Sequence, residues 1–112
     1  MSTDISTIIV NYNAGMFLRS CVDSLLASPL GIEIIVVDNA STDGSLDLLE
    51  GLPQLTIIRN SLNLGFSAGC NVGLNAATSD KILFFNPDCI SLPGAIECLS
   101  DYLETHDQVG MA

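Results

Sequence analysis

Short apolar runs alternate along this chain with segments whose apolar positions recur at helical spacing. Residues 6–10 are a β-branched run that reads as a first strand, with Asn11, Tyr12 and Asn13 directly after it. Phe17, Leu18, Cys21, Val22, Leu25 and Leu26 then repeat at helical spacing until Pro29 stops the pattern. Residues 32–37 form a second β-branched run, closed by the turn and cap formers Asp38-Asn39-Ala40-Ser41-Thr42-Asp43-Gly44. A short helix is predicted over 44–50 and a third strand over 55–58, ending at Arg59-Asn60. Ser67 is placed to cap a helix that runs to Ala77. Residues 81–85 supply a fourth strand, expected to be buried. Pro87 ends it, because proline lacks the ladder N–H and holds Asn86 extended. Pro93 suits a first helical position and opens a helix with Ile96, Leu99, Tyr102 and Leu103 on one face.

Four alternations of strand and helix predict an α/β fold: a three-layer parallel sheet with helices on both faces. Right-handed crossovers leave few strand orders, of which 3-2-1-4 is the expected one. The 112 residues make one domain with no repeat, linker or low-complexity segment. The closing Val109-Gly110-Met111-Ala112 reads as the beginning of another strand, so residues 1–112 are expected to be a single, truncated domain.

Charge narrows the function. Three basic residues (Arg19, Arg59, Lys81) stand against thirteen acidic ones, for a net charge of −10. That excludes a sequence-independent grip on nucleic acid or an anionic membrane, both of which need a basic patch. No segment approaches the length of a membrane span, and the N-terminus has no basic region of a signal peptide. Cys21, Cys70, Cys89 and Cys98 form no C-x-x-C pair and no zinc-like spacing with His106, so buried free thiols and a cytoplasmic location are expected.

Polar residues gather at the predicted carboxyl ends of three strands: Asn11, Tyr12 and Asn13; Asp38 and Asn39; Asn86 and Asp88. In open α/β sheets ligands bind at such ends. Asp38 is placed to accept hydrogen bonds from a base N–H or ribose hydroxyls, and Tyr12 offers a ring face to a base. Asp88 is a hard oxygen ligand of the kind that holds Mg2+ or Mn2+. A divalent cation would reconcile so acidic a chain with a diphosphate ligand. Each of these residues also has an ordinary role open to it: Asp and Asn form turns after strands, Tyr12 can cap the sheet edge, and Ser41 and Asp43 can cap a helix. Gly65, Gly69 and Gly73 are not the dinucleotide fingerprint and are expected to permit a tight turn or close helix–sheet packing. A nucleotidyltransferase would need a basic, glycine-rich loop after strand one, and Asn11-Tyr12-Asn13-Ala14-Gly15 has no basic residue.

Four segments together are familiar: Ile9-Val10-Asn11-Tyr12-Asn13; Val36-Val37-Asp38-Asn39-Ala40-Ser41-Thr42-Asp43-Gly44; Asn63-Leu64-Gly65-Phe66-Ser67-Ala68-Gly69-Cys70-Asn71-Val72-Gly73; and Phe85-Asn86-Pro87-Asp88. In this order they resemble family 2 glycosyltransferases, in particular the bacterial rhamnosyltransferase-like branch. The resemblance implies the nucleotide-binding half of a GT-A fold and inverting transfer from a nucleotide-diphosphate sugar, dTDP- or UDP-linked, to an acceptor hydroxyl. It places Tyr12, Asp38 and Asn39 at the nucleotide, and Gly65, Asn71 and Asn86 near the sugar-diphosphate. Asp88 falls at the last carboxylate of a D-x-D pattern and would meet a divalent cation, Mg2+ or Mn2+. Asn86 departs from that pattern by replacing its first acid. The family's general base and acceptor-binding half fall beyond residue 112, so the isolated chain is expected to lack turnover. A glycan or lipid-linked acceptor in a polysaccharide-building role, at the inner face of a bacterial membrane, is the implied setting. The alternative is a noncatalytic nucleotide-binding or interaction module of the same fold.

Overall fold

The computed structural model describes residues 4–52 and 54–112. Four parallel strands, β1 (Ile5–Asn11), β2 (Ile32–Asn39), β3 (Leu55–Asn60) and β4 (Ile82–Phe84), form one sheet in the order β3-β2-β1-β4. Helices α1 (Met16–Leu26), α2 (Phe66–Ala76) and α3 (Ala95–Thr105) connect or follow them, with a 3-10 helix at Ser45–Leu49 between β2 and β3. The predicted sheet and strand order therefore hold.

The two central strands are apolar on both faces because both faces are covered, as the sequence pattern required. Side chains alternate with a period of two, and the packing follows that alternation. Ile5 and Ile9 of β1, with Ile34 and Val36 of β2, face Leu18, Cys21, Val22 and Leu25 of α1, joined by Leu49 and Ile96. Ile8, Ile35 and Val37 point to the other face, against Val72 and Ala76 of α2. That second layer is thin because α2 lies almost on the sheet. A Cβ at Gly73 would stand 2.5 Å from Ile8 Cγ2, and one at Gly69 would stand 2.8 Å from Val10 Cγ1. Close packing is the reason for both glycines.

Several expectations are corrected. β4 is a three-residue edge strand rather than a buried one, and Phe84 is 49% exposed, because the strand order leaves β4 a neighbour on one side only. Phe17 is exposed and lies off the stripe Leu18, Cys21, Val22, Leu25 that α1 turns to the sheet. Ser67 lies inside the first turn of α2. The cap position belongs to Gly65, whose φ of +84° suits glycine and whose N–H is taken by the Asn63 side chain. Likewise α3 begins after Gly94 (φ +83°), not at Pro93, and of its predicted apolar face only Ile96 is buried. Leu99 and Tyr102 are half-exposed, and the Tyr102 ring stacks on His106. Residues 109–112 form no strand; the Val109 N–H closes a turn onto the His106 carbonyl. The cysteines are free thiols as expected, but only Cys21 is fully buried.

Candidate functional site

Period-two alternation also sorts the polar residues at the strand ends. Asn11 and Asp38 are register partners, and both follow the α1-facing row. Asn39, the next residue along β2, falls on the α2 side. So two neighbours in the sequence are sent to opposite faces of the sheet.

Asp38 is 3% exposed and its carboxylate is held by three donors. Oδ1 accepts from Asn11 Nδ2 (2.8 Å) and Ser41 Oγ (2.7 Å), and Oδ2 accepts from the Ser41 N–H (3.0 Å). A carboxylate has about four acceptor positions, so one remains, on Oδ2. Asn11 Nδ2 also reaches Ser45 Oγ at 3.0 Å, while Asn11 Oδ1 is buried with no partner. The orphan follows from the carboxylate: the reverse amide orientation would set oxygen against oxygen at Asp38. Asn39 spends its side chain internally, donating to the Gly65 carbonyl (3.0 Å) and accepting from Asn60 Nδ2 (2.9 Å). It braces the loop that leads into α2.

Beyond β4 the chain turns at Asn86-Pro87-Asp88-Cys89, closed by the Cys89 N–H to the Asn86 carbonyl (3.1 Å). Proline stands at the second turn position, for which its fixed φ is suited. Cys21 of α1 donates its thiol to the same carbonyl at 3.5 Å. Burial pushes that thiol up to about 12, with Cys89 and Asp88 adding to the shift. Asn86 and Asp88 are themselves exposed.

An open cleft of about 1080 Å3 lies between this turn and the start of α1. Asn86, Pro87 and Asp88 line one side; Tyr12, Asn13, Ala14, Gly15, Met16, Phe17 and Ser20 line the other. The cleft thus unites Tyr12, Asn86 and Asp88. Asp38 stands behind it, joined through Asn11 and Ser41. Gly65 is further along the strand ends, tied in through Asn39, and Asn71 is exposed on α2 away from the cleft lining. The apolar lip of Met16 and Phe17 escaped the sequence reading, since Phe17 shares the helical spacing of the buried stripe and Met16 stands just before it. Arg59 was passed over as well. It is the register partner of Asp38 on β3 and is exposed, whereas Arg19 is bound to Asp23 and Lys81 to Glu104.

For a divalent cation the donor set is sparse. Among the described residues no group of three or more His, Cys, Asp or Glu side chains could hold a metal. The one carboxylate of Asp88, with the Asn86 amide oxygen two residues away, fits an ion of the magnesium type, which takes one or two carboxylates and completes its shell with water and phosphate oxygens. Cys89, whose thiol is 3.9 Å from Asp88 Oδ1, is too soft a donor for such an ion.

Comparison with known proteins bears on the family and the fold. Residues 6–112 match the family model described as Glycosyl transferase family 2. An uncharacterized glycosyltransferase of Haemophilus influenzae is 33% identical over 110 residues, which is 94% of this chain and 34% of the relative. An uncharacterized glycosyltransferase of Nostoc is also 33% identical, over 96% of the chain and 35% of its own length. Among solved structures, a mannosyltransferase from Pyrobaculum calidifontis, in complex with GDP-Man and Mn2+, superposes with a TM-score of 0.88 at 22% identity. It is covered over 34% of its length by 98% of this chain. Staphylococcus aureus TarS gives 0.83 at 24% identity, over 92% of this chain and 33% of that one. At these identities the two structures attest the fold, and the chain spans about a third of the length of the relatives it matches.

Proposed function

This chain belongs to glycosyl transferase family 2, and from that premise we propose that it forms the donor-binding part of an inverting glycosyltransferase. Its substrate is a nucleotide-diphosphate sugar, and the acceptor is the hydroxyl of a glycan or lipid-linked glycan. The observation that carries the reading is the meeting of Tyr12, Asn86 and Asp88 in one cleft with the Asp38 carboxylate fixed behind it.

Each part has a task suited to its surroundings. Tyr12 is 53% exposed and lines the cleft, where its ring offers a stacking face to a base. Asp38 keeps one acceptor position for a base N–H or a ribose hydroxyl. Arg59, beside it on β3, brings positive charge toward an anionic donor. Asp88, with Asn86, would hold Mg2+ or Mn2+, which offsets charge developing on the leaving diphosphate. Asn39 and Gly65 act behind these groups by setting the course of the loop into α2; for Asn71, exposed on α2 outside the cleft lining, a place near the sugar rests on the family resemblance alone.

The reading is tested by calorimetric titration of the chain with UDP, dTDP and GDP, each with and without Mn2+, repeated on Asp88→Ala. Metal-dependent binding of one nucleotide, weakened at least tenfold in Asp88→Ala, is expected. Equal binding with and without metal, or no effect of the substitution, overturns the assignment of Asp88. The chain alone is expected to turn over no sugar; steady transfer by it would contradict the division of labour proposed here.

A further inference from the structure

The loops after β1 and β2 are fastened to each other by a set of hydrogen bonds that the donor-site reading does not use. The Asn13 N–H donates to Ser41 Oγ at 2.9 Å, and Asn13 Oδ1 accepts the Thr42 N–H at 2.8 Å. Two residues on, the Gly15 N–H donates to Asp43 Oδ2 at 2.8 Å. Ser41 Oγ is the hub. It accepts from Asn13 N–H and from Asn11 Nδ2 (3.2 Å), and it donates to Asp38 Oδ1. The described chain has two non-glycine residues at positive φ, Asn13 (+50°) and Ala40 (+62°), and they sit one in each of these loops. A left-handed backbone costs an ordinary residue about 1–2 kcal/mol, and such conformations persist where surrounding bonds over-determine them. Here the surrounding bonds are the clasp itself.

Tyr12 stands between Asn11 and Asn13, each locked to the second loop, while its own hydroxyl makes no hydrogen bond among the described residues and its side chain lines the cleft. We propose that Asn13 is a positioning residue: its side chain, held by the Thr42 N–H, aims Tyr12, while its backbone N–H on Ser41 braces the Asp38 carboxylate, so that one residue supports both contacts of the nucleotide. The proposal rests on the donor-site reading for its consequence but not for the clasp. Asparagine meets two demands at once: it tolerates the left-handed backbone, and its oxygen stands where the Thr42 N–H needs an acceptor.

The two demands can be separated by substitution. Asn13→Gly keeps the backbone and loses the acceptor, whereas Asn13→Asp keeps both. In the ligand-free chain, hydrogen exchange and amide order parameters read the clasp directly. Asn13→Gly should speed exchange at Thr42 at least tenfold and lower the order parameter of Tyr12, and Asn13→Asp should restore both. In titrations with Mn2+ and whichever of UDP, dTDP and GDP the parent chain binds, Asn13→Gly should bind about tenfold more weakly, the loss of roughly one hydrogen bond, with Asn13→Asp within about threefold of the parent. Unchanged Thr42 protection in Asn13→Gly overturns the clasp. Lost protection with unchanged affinity overturns the positioning role, as does failure of Asn13→Asp to restore either readout. If the parent chain binds no nucleotide, the donor-site reading fails, and the exchange and order data alone decide whether Asn13 fixes Tyr12.

Discussion

Asp38 and Asp88 both follow parallel strands at the same end of one sheet, yet their surroundings differ in nearly every respect. Asp38 is buried and held by three hydrogen bonds, in a loop laced to its neighbour from Asn11 to Asp43. Asp88 is exposed, on a turn closed by one backbone bond and tethered by one thiol. The contrast follows from strand order. β2 is central, so a carboxylate at its end is desolvated and must be satisfied by the protein. β4 is an edge, so the carboxylate beyond it stays in water, with its lone pairs largely open to solvent. One half of the cleft is preformed by the protein, and the other is the half that, in the donor-site reading, ligand and metal would complete.

The sharpest way to break this comparison is to remove each carboxylate in turn and measure stability by denaturant unfolding. Asp38→Ala strips the acceptor from Asn11 and from the Ser41 backbone in a buried setting, and should cost about 2 kcal/mol. Asp88→Ala removes a solvated side chain and should stay within about 0.5 kcal/mol, the usual range for surface changes. Similar losses at the two positions would mean that the turn after β4 is as tightly integrated as the loops after β1 and β2, and the contrast would be wrong.

The preformed half was only partly legible in the sequence, for a physical reason. Strand order, parallel pairing and the gathering of polar strand ends follow from alternation of apolar runs and from handed crossovers, which are local or nearly so. Periodicity also shows which residues share a face. It does not show whether anything covers that face, which is why Leu99 and Tyr102 of α3 and Phe17 of α1 proved exposed. The clasp left still less trace. Its bonds join residues 28 and 29 apart, run between side chain and backbone, and depend on left-handed conformations at Asn13 and Ala40. An alanine at positive φ carries no signal in composition or spacing. Nor did adjacency help: Asp38 and Asn39 read as a pair, and the pleat divides them between two faces.

Thiol chemistry sharpens the comparison from the open side. Cys21 lies behind the Asn86–Asp88 turn with its thiol pushed up to about 12, while Cys89 on the turn is exposed. Since the thiolate is the reactive form, iodoacetamide at pH 8 should label Cys89 and Cys98 and spare Cys21, read by peptide mass spectrometry. If the turn opens freely, Cys21 will be labelled at a rate close to that of Cys89. Nucleotide with Mn2+ should slow labelling of Cys89, being bound two residues from it at most, without changing Cys98.

The smallest expected effect lies in the clasp, at Asp43. Hydrogen bonds from Ser45, and then from the Gly15 N–H, outweigh the residual desolvation and hold this carboxyl below its ordinary value of 3.8. A carboxylate depressed in the folded state contributes stability that is fully present above the unfolded value and is lost as pH falls through the folded one. Nothing should therefore change from neutral pH down to about 4, and the bond to Gly15 should loosen only below that. Glu33, at the opposite end of the sheet, is also lowered: bonds from Ser6 and Thr78 overcome the effect of its burial, so bulk acid unfolding cannot separate the two carboxylates. The Gly15 amide shift in NMR can. It should titrate with a midpoint below 3.8, in step with the Ser45 amide, and should become flat in Asp43→Asn. A midpoint at or above the ordinary carboxylate value would show that the bonds from Ser45, which lower it most, do not persist in solution, and a Gly15 amide shift that does not follow Asp43 would leave the two loops joined only through Asn11, Asn13 and Ser41.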